Sequence, residues 1–455
     1  MKMRLKQFLK PTLDDYINVA YQTAEYLERF EILEGDTIHY PATTEGVFSY
    51  PDTPLVSDTS FFGGAAGDAF FYLHLYLIDK DEKWLSKGKA LLNYCISKYQ
   101  GEQTYLPKEN EPYPETKNGF LAGPAGGAYV AHLYCKVSAE KKYMDYFYKV
   151  ASDLKRAFKK QEEGLAITGS YAVLEEGGLI NFLLYAYNET GDREYLDIAC
   201  GFADYIVSKA EPVGKGSVRF YAFDSEGNGY GGRGYFPGYF HGTAGSACLL
   251  LKVYQYTMKD SYLETARKAA NYILDISEVS EDGESMWVPY LDPLVDDLFY
   301  LGQCQGSAGT SKLFYQLYDM TGDKKYLEYV IKLTEGILAT GAPKLHSRGY
   351  WHVLNYCCGA AGMLEHFLHV YQLTNNEKYL QACEDCAEVL IRESYNEGDG
   401  RRWYTVTNRH LPGEILVLSG LYNGGPGIAA ALLKLYNFKK DKNILPRYID
   451  DPFLD

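Results

Sequence analysis

Apolar and small residues gather in seven blocks along the chain, each entered through a Gly-x-x-Gly pattern and left through a tyrosine. The entries are Gly64-Ala65-Ala66-Gly67, Gly123-Pro124-Ala125-Gly126, a worn Glu175-Glu176-Gly177-Gly178, Gly242-Thr243-Ala244-Gly245, Gly306-Ser307-Ala308-Gly309, Gly359-Ala360-Ala361-Gly362 and Gly424-Gly425-Pro426-Gly427. Apolar runs of helical spacing follow, reaching Tyr76, Tyr134, Tyr187, Tyr254, Tyr318, Tyr371 and Tyr436. After six of those tyrosines comes an amphipathic segment opened by an aromatic and Leu or Met: Trp84-Leu85, Tyr143-Met144, Tyr195-Leu196, Tyr262-Leu263, Tyr326-Leu327 and Tyr379-Leu380. Short polar turns such as Thr190-Gly191-Asp192 and Thr321-Gly322-Asp323 join the two, with glycine ending the first helix. Each unit is a helical hairpin with an apolar inner helix and a half-wet outer one.

Repeated hairpins either stack into an open solenoid or close into a ring. The inner helices are apolar on most faces, as in Ala429-Ala430-Ala431-Leu432-Leu433, which suits helices buried on all sides. The expectation is an all-α chain, a closed α/α toroid of seven helical hairpins. Residues 1–34 would supply a leading helix, clearest from Asp14 to Phe30, and no linker divides residues 1–455 into separate domains. The last glycines of successive units fall 52 to 67 residues apart, so each unit carries a variable loop before its glycines.

Composition narrows the function classes. The 455-residue chain is 46% hydrophobic, as folded proteins are, and its net charge of −15 argues against nucleic acid as a partner. The opening MKMRLKQFLKPTLDDY has no apolar core of signal-peptide length, and no run is long enough to span a membrane, so a cytoplasmic protein is expected. Nine irregularly spaced cysteines then read as thiols or metal ligands instead of a disulfide framework.

In a ring of parallel inner helices, residues just before each Gly-x-x-Gly face the same central opening. That position holds Gly63, Ala122, His241, Gln305, Cys358 and Asn423 in the clear copies, and the one before it holds Cys304 and Cys357 in the fifth and sixth. Three thiolates converging at one mouth suit a zinc ion with an open fourth position, where a substrate thiol could lose its proton and stay nucleophilic. Free N–H groups at the helix mouth would further favour thiolate. The alternative is that these are small apolar core residues. His241 reads as a general acid or base, or equally as a fourth ligand or a structural hydrogen-bonding residue. Cys383-x-x-Cys386 lies in an outer helix and reads as structural, as do Cys95, Cys135, Cys200 and Cys248 in helical patterns. His366 and His369 share a helix at a spacing open to a metal, yet point down the wall away from Cys358, as core or inter-helix bonding residues. The Tyr-, Phe- and Gly-rich run from Gly214 to Phe240 reads as a rim loop able to hold an extended peptide or ring, or equally as ordinary loop packing.

On these residues the chain resembles the lanthionine synthetase C-like (LanC) family, over almost its whole length. The specific part is His241-Gly242, then Cys304-Gln305-Gly306, then Cys357-Cys358-Gly359. The resemblance implies an α/α toroid in which zinc activates a peptide cysteine for Michael addition to dehydroalanine or dehydrobutyrine, forming a thioether ring. It implies Cys304, Cys357 and Cys358 as zinc ligands and His241 as the residue of proton transfer. The implied substrate is a dehydrated precursor peptide, with a dehydratase and an exporter as the partners to look for. Cys358 stands where the family usually has histidine in Cys-His-Gly, a change seen in members with three-cysteine zinc sites. The family's Trp-Cys-Tyr-Gly becomes Gln303-Cys304-Gln305-Gly306, and an arginine expected shortly before the first cysteine is absent, with Tyr300 nearby. The family's aspartate near the third repeat falls on Tyr171 or Ala172, which leaves the proton donor open. Glu175 or Glu176 substitutes if the worn turn faces inward.

Two rival readings use the same architecture. A carbohydrate-active enzyme would need paired carboxylates in the mouth, and Asp58, Asp68, Glu175 and Glu414 form no convincing pair in sequence. A non-catalytic scaffold that binds zinc and peptide would account for the missing aspartate.

Overall fold

The computed structural model describes residues 10–46, 58–106, 118–214, 216–221, 234–293, 297–406, 409 and 413–453. The first nine residues of the expected leading segment, and residues 215 and 222–233 of the expected rim loop, lie outside them.

The seven inner helices are α2 (Ala65–Asp79), α4 (Pro124–Ser138), α6 (Leu179–Thr190), α8 (Thr243–Thr257), α10 (Ser307–Thr321), α12 (Ala360–Thr374) and α14 (Gly425–Lys439). Each of the first six packs on the outer helix that follows it: α3 (Glu82–Lys98), α5 (Lys141–Ala157), α7 (Arg193–Ser208), α9 (Asp260–Ile276), α11 (Lys324–Ala339) and α13 (Glu377–Arg392). Gly191 and Gly322 end α6 and α10 with φ of 70° and 68°, the left-handed turn that glycine adopts without a Cβ clash. Asp192 and Asp323 then accept the N–H groups of Glu194 and Lys325, capping α7 and α11. The seventh hairpin is built from both ends of the chain. Helix α1 (Leu13–Glu28), capped by a Thr12–Asp15 capping box, packs along α14, so the leading helix is the outer partner of the last inner one.

Each inner helix packs on the next, and α14 packs back on α2, so the toroid expected from the repeat closes. A belt of backbone hydrogen bonds runs around its mouth. Phe62 N–H donates to Leu121 O, Leu174 to Phe240, Phe240 to Cys304, Cys304 to Cys357, Cys357 to Tyr422, and Tyr422 back to Phe62, at 2.7 to 3.1 Å. Between Leu121 and Leu174 no such bond forms among the described residues, and Gly119 lies there against the Leu174 and Glu175 carbonyls. A three-stranded sheet of Thr405–Val406, Ile415–Leu418 and Thr43–Gly46 also ties the two ends of the chain together.

The lumen is filled by residues 445–453, which carry no repeat pattern. Tyr448, Asp450, Asp451 and Phe453 are buried there. Tyr129 donates to Arg447 O at 2.9 Å and Tyr239 to Asp450 O at 3.1 Å. Tyr448 stacks on Tyr356 at 4.6 Å, and Lys312 of α10 pairs with Asp450 at 3.3 Å in the interior. With its centre plugged in this way, the ring keeps its chemistry at the rim. No helix among the described residues is long and apolar enough to cross a membrane.

Candidate metal centre

The loop before each inner helix folds back over the helix's first turn, which is why the pattern demands glycine. A Cβ at Gly359 would sit 2.0 Å from Val353 O, and one at Gly362 would sit 2.2 Å from Tyr356 O. The folded-back loop also consumes the helix-terminal donors: Ala360 and Ala361 N–H bond to Val353 O and Leu354 O at 2.8 and 3.1 Å. Cys358 N–H donates to Asn355 Oδ1 at 2.9 Å. The expectation of free N–H groups aimed at the sulfurs of Cys357 and Cys358 is therefore corrected. The same fold-back that creates the turn satisfies its amides.

Two neighbouring loops then run parallel, pairing Phe299 with Tyr350 and Tyr300 with Trp351, and this carries Cys304 to the other two cysteines. Gln303 and Cys304 N–H both donate to Cys357 O, at 2.8 and 3.0 Å. Gly302 makes the approach possible, since a Cβ on it would lie 2.5 Å from the Cys358 carbonyl carbon and 2.6 Å from its Cα. Cys304 Sγ stands 3.1 Å from Cys358 Sγ, and Cys358 Sγ 3.4 Å from Cys357 Sγ. All three lie within 4.8 Å of one another, and none is in a disulfide. Thiolates tetrahedrally placed about 2.3 Å from zinc are roughly 3.8 Å apart, so a small spreading of these sulfurs admits the ion. The residues fit a metal. Hydrogen bonds from the Cys357 and Cys358 thiols hold Cys304 well below the usual thiol range, against burial, with the Gln305 N–H and the nearby His241 charge assisting.

The belt of backbone bonds also fixes the register of the worn third turn. Leu174 takes the rung that Phe240, Cys304 and Cys357 take elsewhere. Its successor Glu175 therefore joins the column of His241, Gln305 and Cys358, instead of standing in for the first glycine as the sequence reading had it. Glu175 is fully buried, accepts a hydrogen bond from Ser170, and holds its Oε1 3.6 Å from His241 Nδ1. Glu176 turns away, accepting Thr168 and Gly169 N–H at 2.9 and 3.2 Å, and burial pushes its carboxyl up to about 7. Tyr171 donates to Tyr221 O, which leaves the carboxylate next to His241 to Glu175.

A guanidinium also reaches the mouth, from a part of the chain with no motif. Arg409 Nη1 lies 3.5 Å from Tyr300 OH and stacks over Tyr290 at 4.9 Å. Burial raises the Tyr300 phenol, and the Cys358 and Cys304 charges push it the same way. Only the folded chain brings Arg409 beside Tyr300. Elsewhere, Cys383 and Cys386 are buried, with Cys383 Sγ 3.5 Å from Leu364 O, and burial raises both thiols. His366 is wedged between Ser311 and Thr334 hydroxyls at 3.2 and 2.9 Å. Asp68 is buried and Asp58 accepts from Tyr94.

Fold and site together define a class: a closed α/α toroid with a thiol cluster and a histidine–carboxylate pair on the rim where its inner helices begin. The chain belongs to the Lanthionine synthetase C-like protein family, whose model matches residues 56–449. Among solved structures, nisin cyclase is similar at TM-score 0.62 and 17% identity, covering 87% of this chain and 93% of that one, and shares the fold. An unsaturated glucuronyl hydrolase specific for heparin aligns at TM-score 0.49 and 14% identity, covering 84% of this chain and 98% of that one. Cellobiose 2-epimerase from Bacillus thermoamylovorans B4167 aligns at 0.48 and 13%, covering 94% and 99%. No curated protein sequence matches the chain.

Proposed function

We propose that this protein is a zinc-dependent cyclase of the lanthionine synthetase type, a Cys-Cys-Gly variant that forms thioether rings in a dehydrated, cysteine-containing precursor peptide. The observation that carries the reading is the convergence of Cys304, Cys357 and Cys358 sulfurs from two neighbouring hairpins. These three residues would hold the ion. Bound there, zinc lowers the pKa of an incoming thiol and keeps it nucleophilic, since three thiolate ligands weaken the metal's hold on further charge.

In the addition, a bond forms between the peptide sulfur and the β-carbon of dehydroalanine or dehydrobutyrine. The thiol proton leaves to a base, and the α-carbon takes up a proton as the enolate collapses. No electrons are exchanged with an outside partner. His241 is the group that moves the proton, and Glu175 orients its imidazole through Nδ1 and stabilises the imidazolium. Arg409, held by Tyr300 and Tyr290, presents a cation to the developing enolate oxygen or to the peptide backbone. The chain works in the cytoplasm as one domain, between a dehydratase that makes its substrate and an exporter that removes its product.

Metal analysis of purified wild type should give about one zinc held by the cysteines, lost in Cys304→Ala. Incubation with a dehydrated, cysteine-containing peptide should consume free thiols without changing peptide mass. Zinc-free wild type, or zinc-loaded protein that leaves every thiol intact, would overturn the proposal.

A further inference from the structure

A second cluster lies on α12, the helix that follows Cys357 and Cys358, roughly 8 to 14 Å along its axis from Ala360 at 1.5 Å per residue. Glu365 and His369 stand one helical turn apart on α12, and Asp451 of the luminal tail meets them. One potential ligand atom from each lies within 4.8 Å of the other two, and His369 Nε2 is 3.2 Å from Asp451 Oδ2. Each carboxylate has one oxygen engaged outside the trio and a second that is not. Lys434 contacts Glu365 Oε1, while Glu365 Oε2, in a residue 1% exposed, has no hydrogen-bond partner among the described residues. Asp451 Oδ1 accepts the Phe453 N–H at 3.2 Å, leaving Oδ2 for His369. The Phe453 ring stacks on the imidazole at 4.7 Å and fixes its plane.

A buried carboxylate oxygen without a donor carries a desolvation cost that a bound cation removes. Lys434 cannot supply both oxygens, because its ammonium already sits on the far one. The lining is a histidine nitrogen and two carboxylate oxygens, each held from behind by a further contact, which is how first-row divalent ions are bound. A cavity of about 300 Å³ bordered by the same residues gives an ion and its waters a way in.

We propose that Glu365, His369 and Asp451 bind a second divalent transition-metal ion, which pins the luminal tail to α12. This site is independent of the cyclase reading and stands whether or not the cysteines carry zinc.

The test separates the two centres. The full chain with Cys304→Ala, Cys357→Ala and Cys358→Ala is titrated with Co2+ and Zn2+, following the visible Co2+ spectrum, calorimetric heat and Tm. About one ion per chain should bind with the weak spectrum of nitrogen and oxygen ligands, and Tm should rise. Adding Asp451→Asn or His369→Gln should remove the binding and the Tm rise. In the wild-type background, metal content should be about two per chain, and about one in Asp451→Asn, which also serves if the triple variant does not fold. A triple variant that folds and takes up no ion, wild type with a single ion unaffected by Asp451→Asn, or binding that survives both added substitutions would leave the cluster an ion-pair network only.

Discussion

Gly302→Ala tests the spatial basis of the metal centre without touching a candidate ligand. The new methyl would lie 2.5 and 2.6 Å from backbone atoms of Cys358, and ordinary carbon contacts begin at about 3.5 Å, so one loop must move by roughly 1 Å. Neither obstacle is a flexible side-chain tip, and both loops are locked by the Gln303 and Cys304 bonds to Cys357 O. The Cys304 and Cys358 sulfurs, now 3.1 Å apart, would lose the relative placement that the two loops give them. Zinc affinity should fall about 10- to 100-fold, equivalent to roughly 1.4 to 2.7 kcal/mol, and folding stability by about 1 to 3 kcal/mol from overpacking. Competition against a chromogenic chelator measures the first quantity and urea unfolding the second. Gly413→Ala, where an added Cβ meets nothing within 4 Å, is the control. If Gly302→Ala binds zinc as the wild type does and unfolds at the same urea concentration, then the close approach of the two loops is not what assembles the trio.

The other predictions concern protons and the luminal plug. Glu175→Gln should slow thiol consumption about a hundredfold while leaving zinc content unchanged, as measured by single-turnover assays beside metal analysis; an unchanged rate would remove Glu175 from the proposed proton path. Lys312→Met leaves the Asp450 carboxylate buried beside an apolar chain and should cost about 3 to 5 kcal/mol in urea unfolding, largely recovered by adding Asp450→Asn. Burial holds His366 down to about 3 from its ordinary 6.5, so as pH falls below 6.5 the unfolded chain takes up a proton that the folded one refuses. That contribution to stability is complete above pH 6.5 and declines by about 1.4 kcal/mol per pH unit on the way down to about 3. His366→Gln should make the acid-side slope of stability shallower by about one proton.

The architecture was readable because its constraint is local and repeated. Every clear inner helix must admit a carbonyl against its first turn, so glycine recurs there and marks the register. The column of His241, Gln305 and Cys358 followed from that register alone. The seventh hairpin was only half visible, because the outer partner of α14 is α1 and no periodicity links opposite ends of a chain. The luminal tail was invisible for a related reason: Tyr448, Asp450 and Asp451 find partners on several helices and share no pattern with any of them. Arg409, before α14, reaches Tyr300, before α10, and the side-chain hydrogen bond that joins them leaves no spacing in the sequence. The amides at the helix mouth were misjudged because an N-terminus was read as an exposed one, when the preceding loop had already filled it.

The belt of backbone bonds explains why the chemistry falls where it does. Each rung fixes one residue by its main chain, so the next side chain must face the mouth whatever its identity. Main-chain bonding leaves the residue type at that next position open, and packing presses on the glycines instead. Read around the ring, the column runs Gly63, Ala122, Glu175, His241, Gln305, Cys358 and Asn423, so carboxylate, imidazole and thiol occupy one continuous arc. Within the arc the accessible members are His241, whose side chain is 24% exposed, and the half-buried Cys358, whereas Glu175 and Gln305 are buried. On the proposed reading a substrate thiol approaching this face would meet the cysteines and the imidazole together, with Glu175 buried beside His241. The third turn still admits carbonyls at a glycine pair, since a Cβ at Gly177 or Gly178 would lie 2.0 Å from Tyr171 O or 2.3 Å from Val173 O, but it carries Glu175 in the column. The place where the repeat is worn is therefore the place where a carboxylate enters the arc.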